Sequence, residues 1–132
     1  MQVDIYSAVS VGKKGTGWAC MLKMGEHKKI LRGYTEQSKN DKTVEFAAIL
    51  KTFESLKKPC DVDLYCSPFL STNYLLYDKK DKNVKYPKLC QILDKELKKN
   101  NVTFKFEESN EYFAECRKIA DEELDINEFI EK

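Results

Sequence analysis

The sequence predicts an α/β fold: a five-stranded mixed sheet of three antiparallel strands then two parallel crossovers, flanked by helices. Three observations lead there. All five glycines fall within the first 33 residues, which suits tight hairpins between successive strands. From Thr43 the apolar residues Val44, Ala47, Ala48, Leu50, Phe53 and Leu56 keep close to a 3.6-residue period, the spacing of an amphipathic helix. The short apolar run 62–66 follows that helix, and a strand reached through a helical crossover lies parallel to the first.

The elements follow in order. Val3, Ile5, Tyr6 and Val9 make residues 3–9 the first strand, because β-branched and aromatic side chains fit a pleated surface. Residues 18–24 and 29–34 are the second and third strands, turning around Gly25, Glu26 and His27. The first helix ends before Pro59, and the fourth strand ends at Pro68. A short helix is expected over 69–77, then a polar, lysine-rich stretch over 78–88. Leu89, Ile92, Leu93 and Leu97 restore helical spacing over 89–99. Residues 102–106 alternate as a half-buried strand, and 111–123 form a last amphipathic helix. Residues 124–132 are expected to add an acidic helical C-terminal extension. With no internal repeat and no linker, residues 1–132 read as a single domain.

Composition narrows the class. Hydrophobic residues make up 42% and charged residues 34%, and no apolar run reaches the roughly 18 residues that span a bilayer. The N-terminus lacks the basic and apolar regions of a secretory signal, so a cytoplasmic location is expected, without a membrane partner. Cys20, Cys60, Cys66, Cys90 and Cys116 are odd in number, have no CxxC spacing and sit among apolar neighbours. They read as buried free thiols. A metal site is poorly supported, since His27 is the single histidine. The net charge of +1 hides an asymmetry. Residues 1–106 hold 20 Lys and Arg against 12 Asp and Glu, a balance of +8; residues 107–132 hold 3 against 10, a balance of −7. Such a split marks either a nucleic-acid face with an acidic end or an ordinary solvated surface.

Particular residues carry a family resemblance. Residues 3–7 (Val-Asp-Ile-Tyr-Ser), the turn into a strand at Gly15-Thr-Gly-Trp-Ala-Cys-Met-Leu, and Gly33-Tyr-Thr all contribute. So do polar Ser38-Lys39-Asn40, Val44-Glu45-Phe46-Ala47-Ala48, the uninterrupted run 45–67, and the segments 82–85, 93–99 and 102–104. In this order and spacing they resemble ribonuclease H type 1, the RNA–DNA hybrid endonuclease, across nearly the whole chain. The resemblance implies a ribonuclease H-like fold. It also implies a two-metal reaction in which four carboxylates hold the ions, as a hard cation such as Mg²⁺ needs anionic oxygens.

The family positions of those carboxylates fall on Ala8, Glu45, Ser67 and Ala114, or on Glu115 if the last helix shifts by one residue. Only Glu45 is a carboxylate in the first register, and helix-dipole stabilisation alone is enough to account for it. Asp4 and Asp63 share strand faces with Ala8 and Ser67, but four residues is about 13 Å along a strand, too far for one metal. The family's mobile histidine loop also has no counterpart over 106–110. The chain is therefore expected not to be an enzyme. Residual metal-dependent hybrid cleavage is the alternative, with Glu45 as a weak metal ligand, and Mg²⁺ or Mn²⁺ enters as a cofactor only in that case. Ser67 and Cys66 do not assemble another catalytic site, because no histidine lies within reach.

Two partner classes remain. Lys79, Lys80, Lys82, Lys85 and Lys88, interleaved with Tyr77 and Tyr86, occupy the place where some family members carry a basic protrusion that grips the hybrid. Lysines contact phosphates and tyrosines stack on bases. Lys13 and Lys14, between Gly12 and Gly15, add charge and backbone N–H groups. The expected role is thus binding of RNA–DNA hybrid or other nucleic acid. The alternative is a protein-interaction or scaffold role resembling the connection subdomain of reverse transcriptases; Leu124, Ile126, Phe129 and Ile130 suit docking on the chain's own domain or on a partner groove.

Overall fold

A computed structural model describes residues 1–36, 41–105 and 110–130. The strands are β1 (Gln2–Val11), β2 (Gly15–Met24), β3 (His27–Glu36), β4 (Asp61–Tyr65) and β5 (Asn101–Lys105). The helices are α1 (Asp41–Glu54), α2 (Pro68–Asp78), α3 (Pro87–Leu97) and α4 (Glu111–Ile130). The sheet order is β3-β2-β1-β4-β5, antiparallel across the first three strands and parallel from β1 to β4 and from β4 to β5. This is the predicted mixed sheet. Among the described residues no helix is long and apolar enough to cross a membrane.

Period-two alternation decides which face each strand residue serves. Val3 and Ile5 of β1, and Trp18, Cys20 and Leu22 of β2, enter the main core with Phe46, Ile49 and Phe53 of α1 and Leu93 of α3. Tyr6, Ala8, Ala19 and Met21 point the other way and pack under Cys116, Ile119 and Ala120 of α4. The sheet is therefore covered on both faces, which explains why β2 is buried along most of its length. Tyr6 and Tyr65, partners in the parallel β1–β4 register, stack at 4.4 Å beneath α4. All five cysteines are buried and unpaired in disulfides.

Some boundaries differ from the sequence reading for identifiable reasons. α3 starts at Pro87 rather than at residue 89, since proline suits the first helical position. Tyr86 precedes it with φ 57, so the lysine-rich stretch is a short turn between two helices. The stretch 124–130 continues the last helix, and α4 runs unbroken from Glu111 to Ile130. Its acids meet the sheet, Glu115 pairing with Lys28 at 3.2 Å and Glu122 and Glu123 with Arg32 at 3.3 and 2.7 Å. Three acids of the C-terminal segment are thus paired with β3. Ser38-Lys39-Asn40 and residues 106–109, the latter expected to lack a histidine loop, lie outside the described residues.

Candidate functional site

β4 ends at Tyr65 and the chain turns at Ser67 into α2, while β1 continues beyond it beside β2. That divergence opens a crevice past the carboxyl end of β4, a usual place for ligands in open α/β sheets. The crevice has a volume of about 540 Å³. Ala8, Glu45, Ser67 and Ala114, contributed by four separate elements, all line it. Ser7, Phe113 and Arg117 line it as well. Of the two candidate positions on the last helix, Ala114 faces the cleft, and Glu115 is held in its ion pair with Lys28.

Glu45 lies past the first turn of α1 and is only 5% exposed. It is therefore not a surface residue answering a helix dipole. Its Oε2 accepts from the Ser67 backbone N–H at 3.0 Å and from the Ser7 hydroxyl at 3.3 Å. Its Oε1 accepts from the Ser67 hydroxyl at 2.5 Å. Ser67 Oγ in turn accepts from Leu70 N–H at 3.2 Å, capping α2 with extended φ and ψ of −65° and 150°. One carboxylate thus ties α1 to β1 and to the β4–α2 junction. A buried charge requires such donors, as its desolvation otherwise costs several kcal/mol.

A pair of divalent cations needs several anionic oxygens, and the residues present do not fit such a pair. Among the described residues Glu45 is the one carboxylate lining the cleft, and they hold no group of three or more His, Cys, Asp or Glu suited to a metal. Asp4 and Asp63 face each other across β1 and β4, four residues upstream of Ala8 and Ser67, and line no part of the cleft. Cys66 is no nucleophile: burial, then the charge of Glu45, pushes its thiol well above the ordinary value. His27 is exposed at the start of β3, in the hairpin away from the cleft.

The basic segment touches the residue next to the cleft wall through an aromatic contact. Phe69, which follows Pro68 of the cleft wall, meets Tyr86 edge-on at 6.2 Å, and Lys42 lies 4.2 Å over the Phe69 ring. Lys79, Lys80, Lys82, Lys85 and Lys88 are exposed. Tyr77 is half-buried, with part of its ring packed against the main core. Lys13 and Lys14 are exposed at the β1–β2 turn, but their backbone N–H groups donate to Glu128. On α4, Leu124 is half-buried while Ile126 and Phe129 are 49% and 78% exposed; the side chain of Ile130 lies outside the described residues.

Arg117 and Ser7 escaped the sequence reading. A signal for Arg117 was present, because it stands three residues after Ala114 and so shares its helix face. Ser7 gave none, since serine next to a small residue in a strand is unremarkable by type.

No protein-family profile matches the chain. A protein named Ribonuclease H from Acetivibrio thermocellus is 31% identical over 143 residues, covering 96% of this chain and 97% of the relative. Among solved structures, the N-terminal RNase H domain of a Mycobacterium tuberculosis protein superposes with a TM-score of 0.78 at 10% identity, covering 99% of both chains. LC11-RNase H1, solved in complex with RNA/DNA hybrid, superposes with a TM-score of 0.68 at 15% identity, covering 95% of this chain and 98% of that one. The curated relative carries the name of an enzyme at 31% identity over nearly the whole chain. That overturns the expectation, drawn from Ala8 and Ser67, that this chain is not one.

Proposed function

The chain belongs to the ribonuclease H family, and from that premise we propose that it binds RNA–DNA hybrid in the cleft at the end of β4. The observation that carries this reading is the assembly of Ala8, Glu45, Ser67 and Ala114 around one crevice that also presents Arg117. A guanidinium is permanently charged and offers a planar fork of donors to phosphate oxygens. Phe69 and Tyr86 continue the cleft toward Lys85 and Lys88, giving a polyanion a basic track beyond it. The fold neighbour solved with RNA/DNA hybrid supports this choice of ligand. Binding of this kind rests on cationic side chains and requires no divalent ion.

A second reading is cleavage of the hybrid's RNA strand, the reaction that the relatives' name denotes. Glu45, the carboxylate kept at a family position, favours it. Docking of a protein on Ile126 and Phe129 is the outcome left if nucleic acid is not bound.

The test titrates labelled hybrid, duplex DNA and single strands at low and high salt, with chelator or with Mg²⁺ or Mn²⁺, reading retention and strand cutting together. The expected result is hybrid binding in chelator that weakens steeply with salt and weakens further in Arg117→Ala. No binding of any nucleic acid at low salt overturns the proposal. Metal-dependent cutting that is lost in Glu45→Gln establishes the second reading.

A further inference from the structure

We propose that the β1–β2 turn is an oxyanion site for a phosphate group, at present filled by the chain's own Glu128. The backbone N–H of Lys13 donates to Glu128 Oε1 at 3.1 Å, and those of Lys14 and Gly15 donate to Oε2 at 3.1 Å each. The Tyr34 hydroxyl also donates to Oε2, again at 3.1 Å. Three successive N–H groups converging on one point form an anion-binding concavity of the kind that cradles phosphates. A carboxylate and a phosphate present the same oxygens to it.

The contact is built into the packing. A Cβ at Gly12 would overlap both Glu128 and Leu124, and one at Gly17 would overlap the Ala120 carbonyl. Glycine at these positions lets the last turns of α4 lie directly on the hairpin. Burial works against the charged form of Glu128, yet the bonds from Lys14, Tyr34, Lys13 and Gly15 hold its pKa below the ordinary carboxylate range. Lys13 and Lys14 extend exposed side chains beside the turn and make no ion pair among the described residues. The turn begins three residues past Val9 on β1, which lines the cleft, so it lies about 10 Å from it. A tethered carboxylate competes at an effective concentration of about millimolar, so an incoming phosphate gains the site only when Glu128 leaves.

The experiment follows the backbone amides of Lys13, Lys14 and Gly15 by NMR while inorganic phosphate is added. In Glu128→Ala these three amides should shift saturably, with affinity about tenfold or more above the intact protein. Asp125→Ala removes the same charge one turn earlier and leaves Glu128 in place; it should behave as the intact protein. The proposal is overturned if Glu128→Ala keeps a native spectrum but does not respond, or if Asp125→Ala responds equally, since bulk charge then explains the effect. Should Glu128→Ala disturb the turn, Glu128→Gln keeps the side-chain length, lowers the carboxamide's hold on the N–H groups and is expected to respond in the same direction. In the Glu128→Ala background, Tyr34→Phe should weaken phosphate binding severalfold. Hybrid that displaces phosphate from these amides identifies a phosphodiester as the source; phosphate binding indifferent to hybrid identifies the free ion. Neither arm requires hybrid to enter the cleft, so this site and the cleft reading fail independently.

Discussion

Replacing Ser67 by alanine removes two bonds that meet on one oxygen. The first is the cap on α2, from Leu70 N–H to Ser67 Oγ, worth about 1 kcal/mol. The second is the hydrogen bond from Ser67 Oγ to the buried carboxylate of Glu45, and bonds to charged groups contribute about 1.5–3 kcal/mol. Glu45 keeps the Ser7 hydroxyl and the Ser67 N–H, so its charge is weakened in support but not orphaned. The loss should therefore be about 2.5–4 kcal/mol. An unfolding entropy of about 2.1 cal/mol/K per residue over 132 residues gives about 0.28 kcal/mol/K. The variant should then melt roughly 9–14 °C lower. Thermal melts by circular dichroism measure this, and a cycle with Glu45→Gln should show a coupling of about 1–2 kcal/mol, as expected for residues in one network. A melting point within about 2 °C of the parent, or purely additive effects in the cycle, would falsify the claim that Glu45 and Ser67 hold the junction together.

Other perturbations test other parts of the structure. Ala8→Asp with Ser67→Asp adds two carboxylates beside Glu45; the double variant should melt lower in chelator and recover in Mg²⁺ or Mn²⁺, and a melt indifferent to metal would show that these positions do not share one site. Arg117→Ala should reduce the slope of log affinity against log salt for hybrid by about one contact, roughly 0.9 for a phosphate on a duplex; an unchanged slope removes Arg117 from the interface. Burial pushes Cys20 and Cys116 up to about 12, so both bind their proton more tightly folded than unfolded. The sign follows: their contribution is complete below the ordinary thiol pKa of about 8.5 and is lost as pH rises toward 12. Melts should fall across that alkaline window, and thiol reagents at neutral pH should reach these two cysteines only on unfolding. Gly12→Ala should lower the melting point by forcing α4 off the turn, and an unaffected melt would mean that the close approach carries no energy.

The fold was legible because its signals are local and repeat. Glycine spacing marks hairpins, a 3.6-residue period marks α1, and a strand after a crossover leaves one topology open. The four cleft positions were legible too, through the resemblance that ordered them along the chain. Contacts between side chains distant in sequence were not. Nothing in Glu128 announces that it will reach a turn more than a hundred residues earlier, and Ser7 has no pattern that joins it to Glu45. That Tyr77 also packs against the main core was not legible, because an aromatic among lysines carries no apolar pattern of its own. The acidic tail was legible in part: its apolar residues suited docking on the chain's own domain, but nothing in its charge marked Glu128 as the residue that closes on the β1–β2 turn.

The cap at Ser67 has an evolutionary corollary. Serine and aspartate start helices about equally well, so the α2 terminus places little selective pressure on which of them stands there. Only chemistry in the cleft distinguishes the two. An aspartate at this point would keep the cap but lose the hydroxyl bond to Glu45 and set a second negative charge beside it, so a change between the two is felt in the cleft and leaves no record at the helix start.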